Sequence, residues 1–308
     1  INPENFAGGK IKLSKDLAAD AITKNISQIV NLDMDTAALA ISEIVDETMS
    51  NAARVHTVEQ GHETSSRTLI AFGGAAPLHV ARVAEKLKVS SIIIPTNASV
   101  GSAVGFLKAP VGYEVVKSLR TLLKAFPVKK VNDLLKIMRE EAEKVIENKS
   151  EKNNFLEERF AYMRYAGQGH EIKVPIENNL LSIRHVDSIK SSFEKKYEKL
   201  YSRILPNADI EILTWSLSLS IQSENENEYK ELNSYTNREE STLIDLIDYH
   251  SEKKIKVPYF ERNDLNPGDL IMGQCIISED QTTIIVSKNF NTKVLGNNFL
   301  KMEYNKNE

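Results

Sequence analysis

The sequence has a single cysteine, a single tryptophan and few glycines for its 308 residues. The lone Cys275 excludes an internal disulfide framework and any metal site built from several cysteines. It stands in the apolar run LIMGQCII, the setting of a buried strand. A reactive thiol wants an electropositive, accessible one. No apolar run approaches the roughly 20 residues that cross a membrane. The opening INPENFAGGKIKLSKDLAAD lacks the apolar centre of a signal peptide. Positive charge is not in excess either: the net charge is -4, so the basic footprint of a nucleic-acid binder is missing. Neither nucleic acid nor membrane is expected as a partner, and a cytoplasmic compartment is. What is present is a globular composition, 41% hydrophobic and 27% charged, long enough for two domains or one large one.

Because glycine is scarce, adjacent glycines stand out. One pair lies in LIAFGGAAPLHVA, residues 69–81. Strand character over 69–72 runs into Gly73 and Gly74, and a helical pattern begins near Leu78. Glycines between a strand and a helix let a ligand approach the backbone, because no Cβ intervenes. The N–H groups of the following helix favour an anion at that spot. The same residues also describe a tight turn that only packs well, and spacing alone leaves both readings open. A second short apolar strand, SIIIP at 91–95, follows the helix. Strands alternating with helices imply parallel neighbours in a covered sheet, with ligands beyond the carboxyl ends of the strands. The loop at Thr96 and Asn97 is then expected beside the glycine turn.

The stretches LIAFGGAAPLHVARVAEKL and SIIIPTNASVGSAVGFLKAPV resemble the hydantoinase A / oxoprolinase family. The family's usual pattern is AFGGAGPLH, and Ala76 stands where the third glycine is usual. NPENFAGGKIKL, YMRYAGQGHEIKVPI (similar to RYxGQxxE) and LNPGDLIMGQCII with its following Thr282 and Thr283 extend the resemblance along most of the chain. SNAARVHTVEQGHE is similar to a family segment in which Arg precedes the Gly-His pair; Gln60 stands there in this chain. YSRILP keeps Pro206 but not the family's Tyr-Gly-His.

The resemblance implies an α/β fold: part of an actin-like, RNase H-like ATPase core over 1–120, then an α+β, β-rich C-terminal domain over 121–308. It implies ATP and magnesium as cofactors and a small cyclic amide, of the hydantoin or 5-oxoproline class, as substrate. An ATP-using subunit of an acetone- or acetophenone-type carboxylase is the alternative within the family. A non-catalytic remnant or interaction subunit is the alternative outside it. A hydantoinase B-type subunit or a second copy of the chain is the implied partner. The family's acidic, glycine-rich DxGGT phosphate motifs occur nowhere in the sequence, and the chain opens without methionine. It is therefore expected to be the C-terminal part of a longer protein, with the magnesium ligands upstream. Gly73, Gly74, Ala75 and His79 are the candidate cofactor-binding residues, with His79 either near the nucleotide or capping the turn. Arg54 and Glu59 are weaker candidates for catalysis, a salt bridge at a helix end being the plain alternative. No metal ligand is assigned; His62 reads as a surface histidine.

Periodicity supplies the remaining expectations. A helix is expected over 15–29 and another from an Asp35 N-cap to about Val58. In the second, Ala38, Ile41, Val45, Met49 and Ala52 form the core face, and Glu43, Asp46, Glu47 and Asn51 the opposite one. Gly101 and Gly105 are spaced for close approach of a helix to a neighbour. Val131, Leu134, Leu135, Met138, Ala142, Val145 and Ile146 trace one more stripe; Val186, Ile189, Phe193, Tyr197 and Leu200 trace another. A hairpin is expected at 158–176 around AGQG. Within it Arg164, Gln168 and Glu171 serve either a contact between domains or the turn itself. Trp215 reads as packing one face of a strand. The polar stretch 223–241 reads as a linker, and 271–277 and 282–286 as strands.

Overall fold

In the computed structural model, residues 3–146, 155–221, 231–240 and 242–305 are described. Residues 223–230 and 241 of the linker read at 223–241 lie outside them. The chain divides into two compact units, Ile1–Lys108 with Glu226–Glu308, and Ala109–Asn225.

The first unit opens with a 3-10 turn at Pro3–Asn5 and a loop in which Gly8 and Gly9 both have positive φ, as a turn requires. Helix α1 (Lys15–Ile22) continues through a π-helical turn at Thr23–Ser27 into α2 (Gln28–Val30). Helix α3 (Met34–Glu59) starts two residues earlier than expected: Asp33, not Asp35, is the N-cap. Asp33 has extended backbone and its carboxylate accepts from the Thr36 N–H at 3.0 Å, which satisfies a free helix donor. Then follow β1 (Thr68–Ile70), α4 (Ala76–Leu87), β2 (Ser91–Ile94) and α5 (Gly101–Lys108).

The later part of the unit supplies β7 to β14, namely Thr236–Asn237, Leu243–Ile247, Lys254–Glu261, Asp269–Ile271, Cys275–Glu279, Thr282–Val286, Phe290–Val294 and Leu300–Tyr304. Strands β1 and β2 pair in parallel, as alternation with α4 implies. The other neighbour of β2 is β14, antiparallel, so the sheet is mixed, with order β1-β2-β14-β13-β10-β7. Strand β1 is its edge, and Ile70 and Phe72 beside it are exposed rather than buried. A four-stranded sheet, β12-β11-β9-β8, packs against α4. The single strand expected over 271–277 is two: Gly273 at φ +68 ends β10, and Cys275 begins β11. Cys275 is fully buried, and burial pushes its thiol up to about 12, as an inert strand residue should be.

The second unit comprises β3 (Gly112–Leu122), α6 (Val128–Ile146), β4 (Phe155–Tyr165), β5 (Ile172–Ile176), α7 (His185–Tyr201) and β6 (Ile210–Ile221). The sheet order is β3-β6-β4-β5, all antiparallel. Its core takes Val131, Leu135, Met138, Ala142 and Ile146 from α6 and Ile189, Phe193 and Tyr197 from α7. Most of each stripe read from the sequence is therefore a buried face; Leu134 and Val186 are partly buried, and Val145 and Leu200, at the helix ends, are exposed. Along β6 the buried positions run Ile210, Ile212, then Trp215, Leu217, Leu219. The slip of one falls where the pairing with β4 shifts past Leu213, a bulge that returns the apolar side chains to the core face. Trp215 is fully buried and donates its Nε1–H to the Leu119 carbonyl at 3.2 Å.

The hairpin residues also have internal partners. Gln168 donates to the Tyr197 hydroxyl at 2.8 Å, and Glu171 is exposed. Arg164 Nε donates to Oε1 of the fully buried Glu211 at 2.9 Å, and Arg120 Nε donates to Oε2 at 2.7 Å. Burial pushes the Glu211 carboxyl up, but hydrogen bonds and charge from Arg120 and Arg164 outweigh it and hold the group below its ordinary range. A lowered folded-state value means stabilisation that is present above the unfolded value and lost as pH falls through the folded one. Glu211→Gln leaves two guanidiniums without their counter-charge and is expected to cost about 1–3 kcal/mol at neutral pH. Urea unfolding at neutral pH and near pH 3 checks it, and the difference between wild type and variant should shrink at the lower pH.

Candidate functional site

The parallel pair β1–β2 sets two loops side by side. After β1 the chain turns through Gly73 and Gly74 into α4; after β2 it turns through Asn97, left-handed at φ +59, towards α5. The Gly73 N–H donates to the Ala98 carbonyl at 2.8 Å, so the loops are joined directly. Gly73 has φ +108, a conformation that disfavours a side chain, and a Cβ there would meet no heavy atom within 4 Å. The space above the turn is open. Gly74 and Ala75 are exposed.

Ala75 is the N-cap of α4 and provides no side-chain hydrogen bond, while Pro77 in the first turn lacks an N–H to satisfy. The dipole end of a 12-residue helix thus points at the turn without a side-chain cap. Ala76 is the first helical residue, with no positive φ, and its methyl packs against the core of the unit. Alanine in place of the family's third glycine demands no special backbone here.

The tail of the chain closes one side. The β11–β12 turn brings Thr282, whose hydroxyl donates to the Gly74 carbonyl at 2.6 Å, and Gln281, which accepts from Ser99 at 3.2 Å. The Gly8 N–H donates to the Asp280 carbonyl at 2.8 Å. A cavity of about 100 Å³ lies between these pieces, lined by Phe6, Gly74, Leu78, Asp280 and Gln281 among others. Beneath it Arg262 and Glu279 face each other at 3.5 Å; burial pushes the guanidinium down to about 10 and raises the carboxyl. Two carboxylates, Glu279 and Asp280, therefore stand near the turn. They oppose a bare phosphate and suit one accompanied by a cation. Of the two glycines read for close approach, Gly101 fulfils the role: a Cβ there would lie 2.4 Å from the Phe72 ring. Gly105 faces open space.

The site residues read from the sequence separate into two places. Gly73, Gly74 and Ala75 form the turn, and His79 follows one helical turn later. Arg54 lies elsewhere: it donates to Asn51 at 2.5 Å and to the Lys86 carbonyl, in the last turn of α4. A 12-residue helix is roughly 18 Å long, so Arg54 stands near the end remote from the glycines. Glu59 is exposed at the end of α3, and His62 is exposed after it. Thr282, Gln281 and Asp280 escaped the sequence reading because they lie some 200 residues from the turn they complete.

The face of α3 that meets α4 is the reverse of the one expected. Ile41, Ile44, Val45 and Met49 are exposed, Ile44 at 67%. Asp46 and Ser50 are fully buried. His79, Arg82 and Lys86 recur on one face of α4 and draw the acidic face of α3 inward. Arg82 pairs with Glu43 at 3.2 Å, Lys86 with Glu47 at 2.8 Å, and His79 Nδ1 with Asp46 Oδ1 at 2.7 Å. Burial pushes the Asp46 carboxyl above its ordinary range, and His79 offsets this only in part.

A sequence model of the hydantoinase/oxoprolinase family matches residues 1–115, and one of the hydantoinase/oxoprolinase C-terminal domain matches 125–305. The chain belongs to the hydantoinase/oxoprolinase family. Among family members, the caprolactamase subunit alpha of Pseudomonas jessenii is 26% identical over 294 residues, covering 91% of this chain and 41% of that protein. A solved nucleotide-free acetone carboxylase superposes with a TM-score of 0.81 at 22% identity, over 99% of this chain and 45% of that one. The ATP-dependent caprolactamase of P. jessenii superposes at 0.74 with 23% identity, over 97% and 44%. These likenesses establish the mixed α/β fold shared with both. The chain spans 40–42% of the length of three curated relatives and 22% of that of the 5-oxoprolinase of Saccharomyces cerevisiae. No helix among the described residues is long and apolar enough to cross a membrane.

The two turn glycines differ in what they tolerate. Gly73→Ala meets no atom but forces alanine into positive φ, and is expected to cost about 1–2 kcal/mol. Gly74→Ala, with no positive φ and its closest contact at 3.8 Å, should cost under about 0.5 kcal/mol. Urea unfolding of both variants measures the difference.

Proposed function

We propose that this chain forms one wall of an ATP-binding cleft in an enzyme that opens a cyclic amide. The observation that carries the reading is the open glycine turn at 73–75, set beyond the carboxyl ends of two parallel strands and at the uncapped start of α4. The residues fit a nucleotide's phosphates: the Gly73, Gly74 and Ala75 backbone can be approached closely, and His79 stands one turn away. ATP supplies an activated phosphoryl group, which converts the oxygen of a stable amide into a leaving group for attack by water. Relatives named for caprolactam hydrolysis and 5-oxoproline hydrolysis support this substrate class.

Magnesium would accompany the nucleotide. Among the described residues no three side chains are grouped to hold a metal ion. On the family resemblance, the carboxylates for it are assigned to a preceding polypeptide, equivalent to the rest of the relatives' length. The exposed apolar face of α3 and the open β1 edge, with Ile70 and Phe72, give that polypeptide a surface to cover. The subunit designations of relatives such as the caprolactamase subunit alpha support a further partner subunit. A second reading, the ATP-using subunit of a carboxylase, draws on the superposition with acetone carboxylase. Both readings use the same wall.

Calorimetry with magnesium and ATP tests it, on this chain alone and joined to the preceding coding segment. Binding is expected in the joined form. Gly74→Val should weaken it at least about tenfold by filling the approach to the phosphates. Absence of binding in both forms would remove the ATP reading.

A further inference from the structure

Asp46 is the one member of the α3–α4 seam for which pairing is incomplete in a dry place. Its carboxylate is fully buried; Oδ1 takes the contact with His79, and Oδ2 has no hydrogen-bond partner among the described residues. The neighbouring Arg82 and Lys86 pairs hold the helices together at the partly exposed edge of the seam, where such pairs are replaceable. A buried carboxylate with an orphan oxygen is a costly way to add one more helix contact. It is an effective way to hold an imidazole. A carboxylate at Nδ1 keeps the ring proton on that nitrogen, fixes the ring plane and stabilises the imidazolium when it forms.

His79 is the fourth residue of α4, and helical side chains lean toward the helix start, the direction of the glycine turn. With Nδ1 taken up by Asp46, Nε2 is the ring atom left for the turn at 73–75. The ring is one-fifth exposed, enough to meet a ligand. The charged and titratable groups around the pair are Glu43 on α3, Arg82 on α4, and Tyr249, whose hydroxyl is 2.7 Å from Ser42.

We propose that Asp46 is a positioning residue that holds the proton of His79 on Nδ1, so that Nε2 faces the glycine turn and takes up a proton from solvent when a phosphate-bearing ligand docks there. The step forms an Nε2–H bond with the ring's lone pair and leaves an imidazolium, stabilised by Asp46 on one side and facing the phosphate on the other. It rests on the ATP reading of the turn.

The test is calorimetric titration of magnesium–ATP into the full chain, joined to its preceding segment, near pH 8. Repeating it in buffers of different ionisation enthalpy gives the protons taken up on binding. Wild type should bind with net proton uptake. Asp46→Asn and His79→Gln should lose that uptake and bind about tenfold more weakly. Lys86→Ala, which cuts the same helix seam away from His79, should keep it. Nitrogen-15 spectra of the free protein should show His79 in the Nδ1–H form. Binding without proton uptake, uptake unchanged in Asp46→Asn, or an Nε2–H form in the wild type would overturn the proposal while leaving the ATP reading intact. No binding by the wild type would overturn both.

Discussion

Helices α3 and α4 meet through charge rather than hydrocarbon, and much of the first unit follows from that. Each surface ion pair in the seam contributes little alone, on the order of 0.2–1 kcal/mol. Their effect is on orientation. Glu43, Asp46 and Glu47 face His79, Arg82 and Lys86, so only one rotation of α3 about its own axis satisfies them. That rotation buries Ser50, small enough for close approach, and turns Ile44, Val45 and Met49 outward. Helix α4 is held in turn against β2 and β12, and so its start is aimed at the glycine turn.

The sequence was most legible where a local rule had no competitor. The stripes of α6 and α7 repeat at helical spacing, and burial follows them except at Val145 and Leu200 near the helix ends. The glycine turn, the parallel β1–β2 pair and the buried setting of Cys275 were likewise readable, because strand, glycine and helix follow one another within a few residues. Helix α3 defeated the same rule. Its apolar stripe is as regular as that of α6, but periodicity records only that a face is apolar, not what lies opposite it. The matching cations sit some 30 to 40 residues downstream on α4, and only their joint spacing gives the seam away. Asp33 took the N-cap from Asp35 because two nearby aspartates compete, and the one with extended backbone reaches Thr36.

The candidate site was half legible for a related reason. Gly73, Gly74 and His79 belong to one short segment. Thr282, Gln281 and Asp280 come from a hairpin that only the tertiary fold brings to the turn. In sequence the Thr282 and Thr283 pair carries strand propensity and a family resemblance, and neither points to the glycine turn. Arg54 was drawn toward the site by motif similarity, yet its guanidinium serves a carbonyl at the far end of α4. Function on a fold of this kind is a property of loop ends rather than of the motif's full extent.

The two sides of α3 are best understood together. A helix that commits its acidic face to a neighbour gives up the usual means of keeping the opposite, apolar face out of water. Ile44, Val55 and Val58 on α3 and, separately, Ile70 on the β1 edge are all exposed, a good deal of apolar surface for one unit. A hydrocarbon seam between α3 and α4 would have hidden those side chains and left the acids in water, a simpler arrangement for a unit standing alone. The charged seam makes sense when the apolar face has its own partner. The same rotation that presents hydrocarbon outward places Asp46 under His79. On this view, covering the apolar face of α3 and orienting the imidazole at the glycine turn are consequences of a single choice of helix face.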